Sequence, residues 1–168
     1  MSIRIAFTGP ESSGKSTYAQ WASEHFPNTL LVCEYARVYL ESVGKSRASQ
    51  KDFQHIVETS INQFQKSYIQ DLIVFDGDQF VLEVWNEWEF NIPLPSTQFE
   101  CDLKFLCYPD LPWEADPLRS LPNEKDRILV FEQIEKKLLE SKANYTVLRG
   151  SRERKEAMII ASINSLIK

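Results

Sequence analysis

Gly9-Pro10-Glu11-Ser12-Ser13-Gly14-Lys15-Ser16 decides how this chain folds. The stretch fits the pattern G-x-x-x-x-G-K-[ST], the phosphate-binding loop or P-loop. Each residue type has a physical task there. Glycines let the backbone wrap so that successive N–H groups point inward at phosphate oxygens. A helix starting at Gly14 adds its dipole and its unpaired amides to the same anion site. Lys15 brings a positive charge to the outer phosphates of ATP, and the Ser16 hydroxyl offers one ligand position to Mg²⁺. Gly9, Glu11, Ser12, Ser13, Gly14, Lys15, Ser16 and Thr17 are therefore the expected ATP-binding set. The flanks supply the context that the motif needs. Ile3 to Thr8 is a short, β-branched apolar run that reads as a buried strand. After the loop, Tyr18, Trp21, Ala22 and Phe26 recur at helical spacing until Pro27-Asn28.

The same alternation continues down the chain. Thr29 to Cys33, Leu72 to Phe75, Leu103 to Tyr108 and Tyr145 to Leu148 read as four more strands. Between them, helices are predicted from Ser49, an N-cap residue, to about Tyr68, from Phe80 to about Trp88, from Glu124 to about Ser141, and from Ser151 to Ile167. A loop carrying Pro93 and Pro95 follows the second of these. Nearly continuous apolar strands alternating with helices imply a parallel sheet covered on both faces. The expected fold is a three-layer α/β P-loop NTPase with a five-stranded parallel sheet, one domain over 1–168, and a small lid at about 110–128. Ligands in such sheets collect at the carboxyl ends of the strands, which here carry Gly9, Glu34, Asp76 and Pro109-Asp110.

Composition bounds the function. The chain has 168 residues, 43% hydrophobic and 26% charged, and 19 Lys and Arg against 24 Asp and Glu give a net charge of −5. Disorder and a disulfide-stapled miniprotein are excluded by these values, and a general nucleic-acid footprint is absent. Cys33 and Cys107 lie in strand-like runs, so buried free thiols and a reducing compartment are expected. No run approaches the roughly 18 apolar residues of a membrane span. The expected setting is the cytoplasm, with no membrane and no nucleic-acid partner.

Asp76, at the end of an apolar strand beside a P-loop, reads as the second Mg²⁺ oxygen ligand. Asp78 either holds a sugar hydroxyl or caps the helix that follows. Glu34 closes the second strand, where a carboxylate can orient or deprotonate an acceptor hydroxyl. Arg37 lies three residues on and either serves the same site or pairs with Glu34. Phosphoryl transfer needs mobile positive charge on the transferred group, and Arg119 and Arg127 flank a loop suited to carry it. Tyr35, Trp85, Trp88 and Trp113 could stack on a flat ring, although each of the first three is more often a core residue. His25 and His55 show no partner pattern and receive no role.

Four stretches then occur in a telling order: Gly-Pro-Glu-Ser-Ser-Gly-Lys-Ser-Thr at 9–17, Glu-Tyr-Ala-Arg at 34–37, Asp-Gly-Asp at 76–78 with Trp85 after it, and Pro-Asp-Leu-Pro-Trp-Glu-Ala-Asp-Pro-Leu-Arg at 109–119. Together they resemble the ribosylnicotinamide kinase domain of the bacterial bifunctional NAD-biosynthesis regulator and its stand-alone AAA-type relatives, over nearly the whole chain. The resemblance implies that Lys15 and Ser16 hold ATP and Mg²⁺, that Asp76 serves the metal or the acceptor hydroxyl, and that the loop with Trp113 and Asp116 recognises the acceptor. It also implies that Arg119 and Arg127 are lid arginines. The implied reaction converts Mg-ATP and ribosylnicotinamide to nicotinamide mononucleotide and ADP, with Asp76 or Glu34 as the base. The acceptor's pyridinium is a cation, which aromatic faces and Asp78, Asp110 and Asp116 would suit. Gly77, Cys33 and Pro117 depart from the family's usual Thr, Pro and Gly. Adenylyl transfer and repression are not expected of these residues. Two further readings stand beside this one: a kinase for another nucleoside, and an ATPase switch acting on a macromolecular partner.

Overall fold

A computed structural model describes residues 2–94 and 99–167 of the chain. The five apolar runs form β1 (Ile3–Thr8), β2 (Thr29–Val32), β3 (Leu72–Asp76), β4 (Leu103–Cys107) and β5 (Tyr145–Leu148). The helices among the described residues are α1 (Lys15–His25), α2 (Tyr35–Ser42), α3 (Gln50–Gln65), α4 (Gln79–Phe90), α5 (Glu124–Glu140) and α6 (Arg152–Ile167). Every strand pairing is parallel, and the spatial order is β2-β3-β1-β4-β5. The strand that leads into the phosphate loop is thus the middle one. Its Phe7 lies opposite Asp76 on one side and Phe105 on the other.

Strand alternation divides the core into layers. Ile5 and Phe7 of β1, with Val74, Phe105 and Cys107, face α1 and α6 through Tyr18, Ala22, Ile159 and Ile163. Ala6, Ile73 and Phe75 face the opposite way, against α2 and α3 through Leu40, Phe53, Ile56 and Phe64. Leu106 completes that second face with Val84 of α4 and Val130 and Ile134 of α5. Phe7, Phe75 and Phe105 are wholly buried, and each contributes roughly 1.5–3 kcal/mol by leaving water.

Two expectations are corrected at the edge strand. β2 ends at Val32, because the chain turns there to begin α2, and Cys33 is exposed rather than buried. Cys107, on the inner strand β4, is fully buried, which pushes its thiol up to about 12. Helix α2 itself was not foreseen. Tyr35, Ala36, Tyr39 and Leu40 do recur at helical spacing and pack on the second core layer, but the helix has only eight residues, too few for a clear period. Helix α3 begins where expected: Ser49 and Asp52 form a reciprocal capping box. It ends at Gln65, three residues before Tyr68. The loop predicted after Trp88 begins after Phe90, and Pro95 lies outside the described residues. No helix among the described residues is long and apolar enough to cross a membrane.

Candidate active site

The carboxyl ends of β1, β2 and β3 bring Gly9, Glu34 and Asp76 to one edge of the sheet. Gly9 adopts φ +139°, and a Cβ there would stand 2.6 Å from the Cys107 carbonyl oxygen. Only glycine lets the loop leave β1 this close to β4. Ser12 takes the left-handed conformation at φ 54°, with its buried hydroxyl oxygen lacking a partner. Gly14 follows at φ 88° as the N-cap of α1, with no side-chain cap for the helix amides. A left-handed residue beside an uncapped helix start turns backbone N–H groups into one concavity, which suits an anion. The Ser13 hydroxyl and Lys15 Nζ each donate to the Pro10 carbonyl, both at 2.8 Å. Lys15 is thus folded back over its own loop, while Ser16 and Thr17 are exposed at the helix start.

Asp76 stands at the floor beside Ser16 and Lys15, and its buried Oδ1 has no hydrogen-bond partner. Burial raises its pKa, opposed by Lys15, Ser16 and Arg37. An unsatisfied buried carboxylate oxygen is costly unless something completes it. A hydroxyl and a carboxylate are also the hard oxygen donors that Mg²⁺ prefers. Ser16 and Asp76 therefore fit the ion. Glu34 is the N-cap of α2, yet makes no capping bond. Its carboxylate instead lines a cleft together with Lys15. Burial raises its pKa, Asp76 adds to the rise, and Lys15 and Arg37 oppose it.

That cleft has a cavity volume of about 180 Å³. Its walls come from α2 (Ala36, Arg37, Leu40), the start of α3 (Phe53, Ile56), α4 (Val81, Leu82, Trp85, Glu89, Phe90) and residues 117–120. Trp85 thus lines the cleft. Trp88 is not in the cleft: it is 37% exposed and lines a separate hollow with Gln133 of α5. Tyr35 also turns away, its hydroxyl 3.1 Å from His55 Nε2. That hydrogen bond gives His55 a partner that the sequence alone did not reveal. Arg47, Glu89, Leu40, Phe53 and Phe90 are further cleft residues missed by sequence reasoning. Phe53 lies at helical spacing from Ile56, but an amphipathic stripe marks a core face and a cleft wall alike.

Several predicted substrate contacts are already engaged with protein groups. Asp78 is 1% exposed and caps α4, Oδ1 accepting from the Phe80 and Val81 amides and the Thr8 hydroxyl. Its Oδ2 takes Lys104 Nζ at 2.9 Å. Four donors fill the valence that a sugar hydroxyl would need, so the capping alternative is the one the fold uses. Asp110 holds Lys155 and the Gly150 amide. Asp116 takes both arms of Arg37, at 3.1 and 3.3 Å, and the Leu118 amide at 2.8 Å. Arg37 pairs there and with Glu41, at 3.4 Å, rather than with Glu34. These acids are partnered by cations of the chain itself and are not free for a pyridinium. Glu34 and Glu89 are the acids that line the cleft, with Glu11 at its phosphate end.

The loop arginines part company. Arg119 lines the cleft, its guanidinium donating to the Glu114 carbonyl at 2.9 Å. Arg127, in the first turn of α5, is 4% exposed and donates to the carbonyls of Leu121 and Pro122 at 3.0 and 2.9 Å. It is a buried tie for the loop's end, not a mobile charge. Glu11 and Trp113 also differ from expectation: the Trp113 indole N–H donates to Glu11 at 3.3 Å, so the Glu11 carboxylate, at the edge of the cleft, is engaged by the loop.

A family model described as an AAA domain matches residues 4–155. The chain belongs to the AAA-domain family. Among solved structures it is similar to NadR protein in complex with NR, with a TM-score of 0.68, 19% identity, and coverage of 96% of this chain and 50% of the other. NadR protein in complex with NAD and AMP-PNP gives 0.66, 18%, 95% and 48%. The chain thus spans about half the length of these two proteins. Deoxyadenosine kinase from M. mycoides, with products dCMP and a flexible dCDP bound, gives 0.61 and 14%, covering 98% of this chain and 100% of that one. The curated proteins include no match. The fold is that of the nucleoside- and nucleotide-kinase-like P-loop proteins.

Proposed function

We propose that the chain is an ATP-dependent kinase of a small nucleoside-like acceptor, with the 5′-hydroxyl of ribosylnicotinamide as the acceptor group. The observation that carries this reading is the shared wall. Lys15 of the phosphate loop and Glu34 both line a walled, partly aromatic cleft. A donor site opening onto such a cleft suits a small molecule carrying a ring and a hydroxyl. The family resemblance and the NadR and deoxyadenosine kinase likenesses support the same class.

Mg²⁺, held by Ser16 and Asp76, would draw negative charge off the outer phosphates. The chain's own groups divide the remaining work. Lys15 leaves the Pro10 carbonyl and turns its charge toward the transferred phosphoryl oxygens. Arg119 adds a second cation from the far side of the cleft. Glu34 accepts the proton of the attacking hydroxyl, because it lines the cleft with Lys15 while Asp76 is taken up with Ser16 in holding the ion; its raised pKa suits a general base. Trp85 and Phe53 exclude water and offer a face to the ring. Glu34 and Glu89, in place of Asp78, Asp110 and Asp116, provide negative charge for a pyridinium.

The test is ADP release from Mg-ATP with ribosylnicotinamide, with common nucleosides and with no acceptor, using Lys15→Ala as the blank. Release that requires ribosylnicotinamide, with a product heavier by one phosphate, is the expected result. Release without any acceptor would move the chain to the ATPase-switch class. Turnover of another nucleoside alone would leave the mechanism standing and replace the acceptor.

A further inference from the structure

A carboxylate in a phosphate-binding loop is a misfit if it faces the phosphates, since like charges repel. Glu11 avoids this by turning outward to residues 113–121. Its Oε1 accepts from the Leu121 amide and from the Trp113 indole at 3.3 Å, and its Oε2 accepts from the Ser120 amide at 3.1 Å. Hydrogen bonds to a charged acceptor are stronger than neutral ones, and three on one carboxylate fix a segment's position as well as its distance. Two of the three donors, Ser120 and Leu121, directly follow Arg119. The segment has a second anchor in Asp116, which is gripped by Arg37 of α2. Residues 113–121 therefore form a strap between the donor loop and the acceptor helix, with Arg119 at the cleft between its two anchors.

We infer that Glu11 is a positioning residue: it pins this strap to the phosphate loop and so determines where Arg119 stands over the cleft. The inference rests on the kinase reading for its catalytic consequence, but the pin itself is independent of that reading. It assigns Glu11, expected from the sequence to contact ATP, to the protein instead. It also predicts that filling the donor loop and closing the strap are coupled, because both act on the same eight-residue loop.

The experiment compares the full chain with Glu11→Ala, Glu11→Gln and Trp113→Phe. Tryptic cleavage at Arg119–Ser120, read by fragment mass, reports the strap without requiring activity. Circular dichroism checks the fold. Glu11→Ala should speed this cleavage about tenfold. Glu11→Gln, which keeps one acceptor oxygen, should fall between it and the unaltered chain. Trp113→Phe should raise cleavage a few-fold alone and add nothing in the Glu11→Ala background. In the kinase assay Glu11→Ala should lower kcat more than it raises the KM of the acceptor, and Arg119→Ala should cost little more once Glu11 is gone. Unchanged cleavage in both Glu11→Ala and Trp113→Phe would overturn the pin. Faster cleavage with an unchanged kcat would overturn the positioning role. Should the unaltered chain phosphorylate no acceptor, the kinase reading fails, and the cleavage comparison still decides the pin. Should Glu11→Ala not fold, Trp113→Phe alone decides it.

Discussion

Within the phosphate loop, Ser13 and Lys15 both donate to the Pro10 carbonyl, three and five residues away, whereas the strap over the cleft takes its anchors from Glu11, 102 to 110 residues away, and Arg37, 79 residues away. The first region takes its side-chain bonds from its own sequence, and its one close approach to a distant segment is Gly9 against the Cys107 carbonyl of β4. The second has no regular structure and exists in this shape only once β1, α2 and β4 are assembled. A local device can be read from a motif, while a long-range one must be read from contacts.

The contrast would break if the phosphate loop also depended on a distant tie, and Asp78 is where that would show. Asp78 joins Thr8, at the foot of the loop, to Lys104 of β4, with both ionic side chains buried. Asp78→Ala leaves that lysine without its charge partner and should cost about 3–5 kcal/mol in urea unfolding. The folded fraction should still bind a non-hydrolysable ATP analogue as before, if the loop is self-contained.

Lys15→Ala attacks the local device directly. Its kcat should fall about 10²- to 10³-fold, the usual cost of removing a preorganised charge from a transition state. Thermal unfolding should move little by comparison, since Lys15 bonds only its own loop.

Arg119 and Arg127 sharpen the distinction within the strap region. Arg119→Ala should lower kcat about 10²-fold with the melting temperature nearly unchanged. Arg127→Met should do the reverse, costing about 1–3 kcal/mol through two unpaired carbonyls while kcat falls only a few-fold. A result with the two roles exchanged would place the mobile charge on α5 instead of on the loop.

The smallest effect concerns the α2–α3 corner that carries the strap's second anchor. Lys45 and Ser49 hold the Asp52 carboxyl well below its ordinary range. A depressed carboxylate stabilises the fold fully above its unfolded pKa, and that stability drains as pH falls through the folded value. Stability should therefore decline below about pH 4, and Asp52→Asn should flatten that limb of the pH profile. Unfolding midpoints measured from pH 7 to pH 2 check this.

Much of the fold was legible because its causes are local. The strands are short apolar runs bounded by turns, and burial on both faces of a parallel sheet requires that composition. The phosphate loop was legible for a related reason: Gly9 and Gly14 take positive φ that only glycine adopts freely, although at Gly9 it is β4 that also excludes a Cβ. Helix α2 escaped notice because it has only eight residues, and Cys33 was misassigned because nothing local marks where an edge strand stops.

The candidate site divides along the same line. The sequence by itself determined that a phosphate loop and the strand-end carboxylates Glu34 and Asp76 would stand together at the carboxyl ends of the strands. Only the tertiary structure decided which partner each charge takes. Asp78 went to a helix cap and Lys104, Asp116 to Arg37, Arg127 to two carbonyls, and Glu11 to the strap. Glu34 and Arg119 were left facing the cleft. Residue type sets what a side chain can bond to, but an ion pair forms by distance, and distances across 79 or 110 residues are set by the packing of the sheet and its helices.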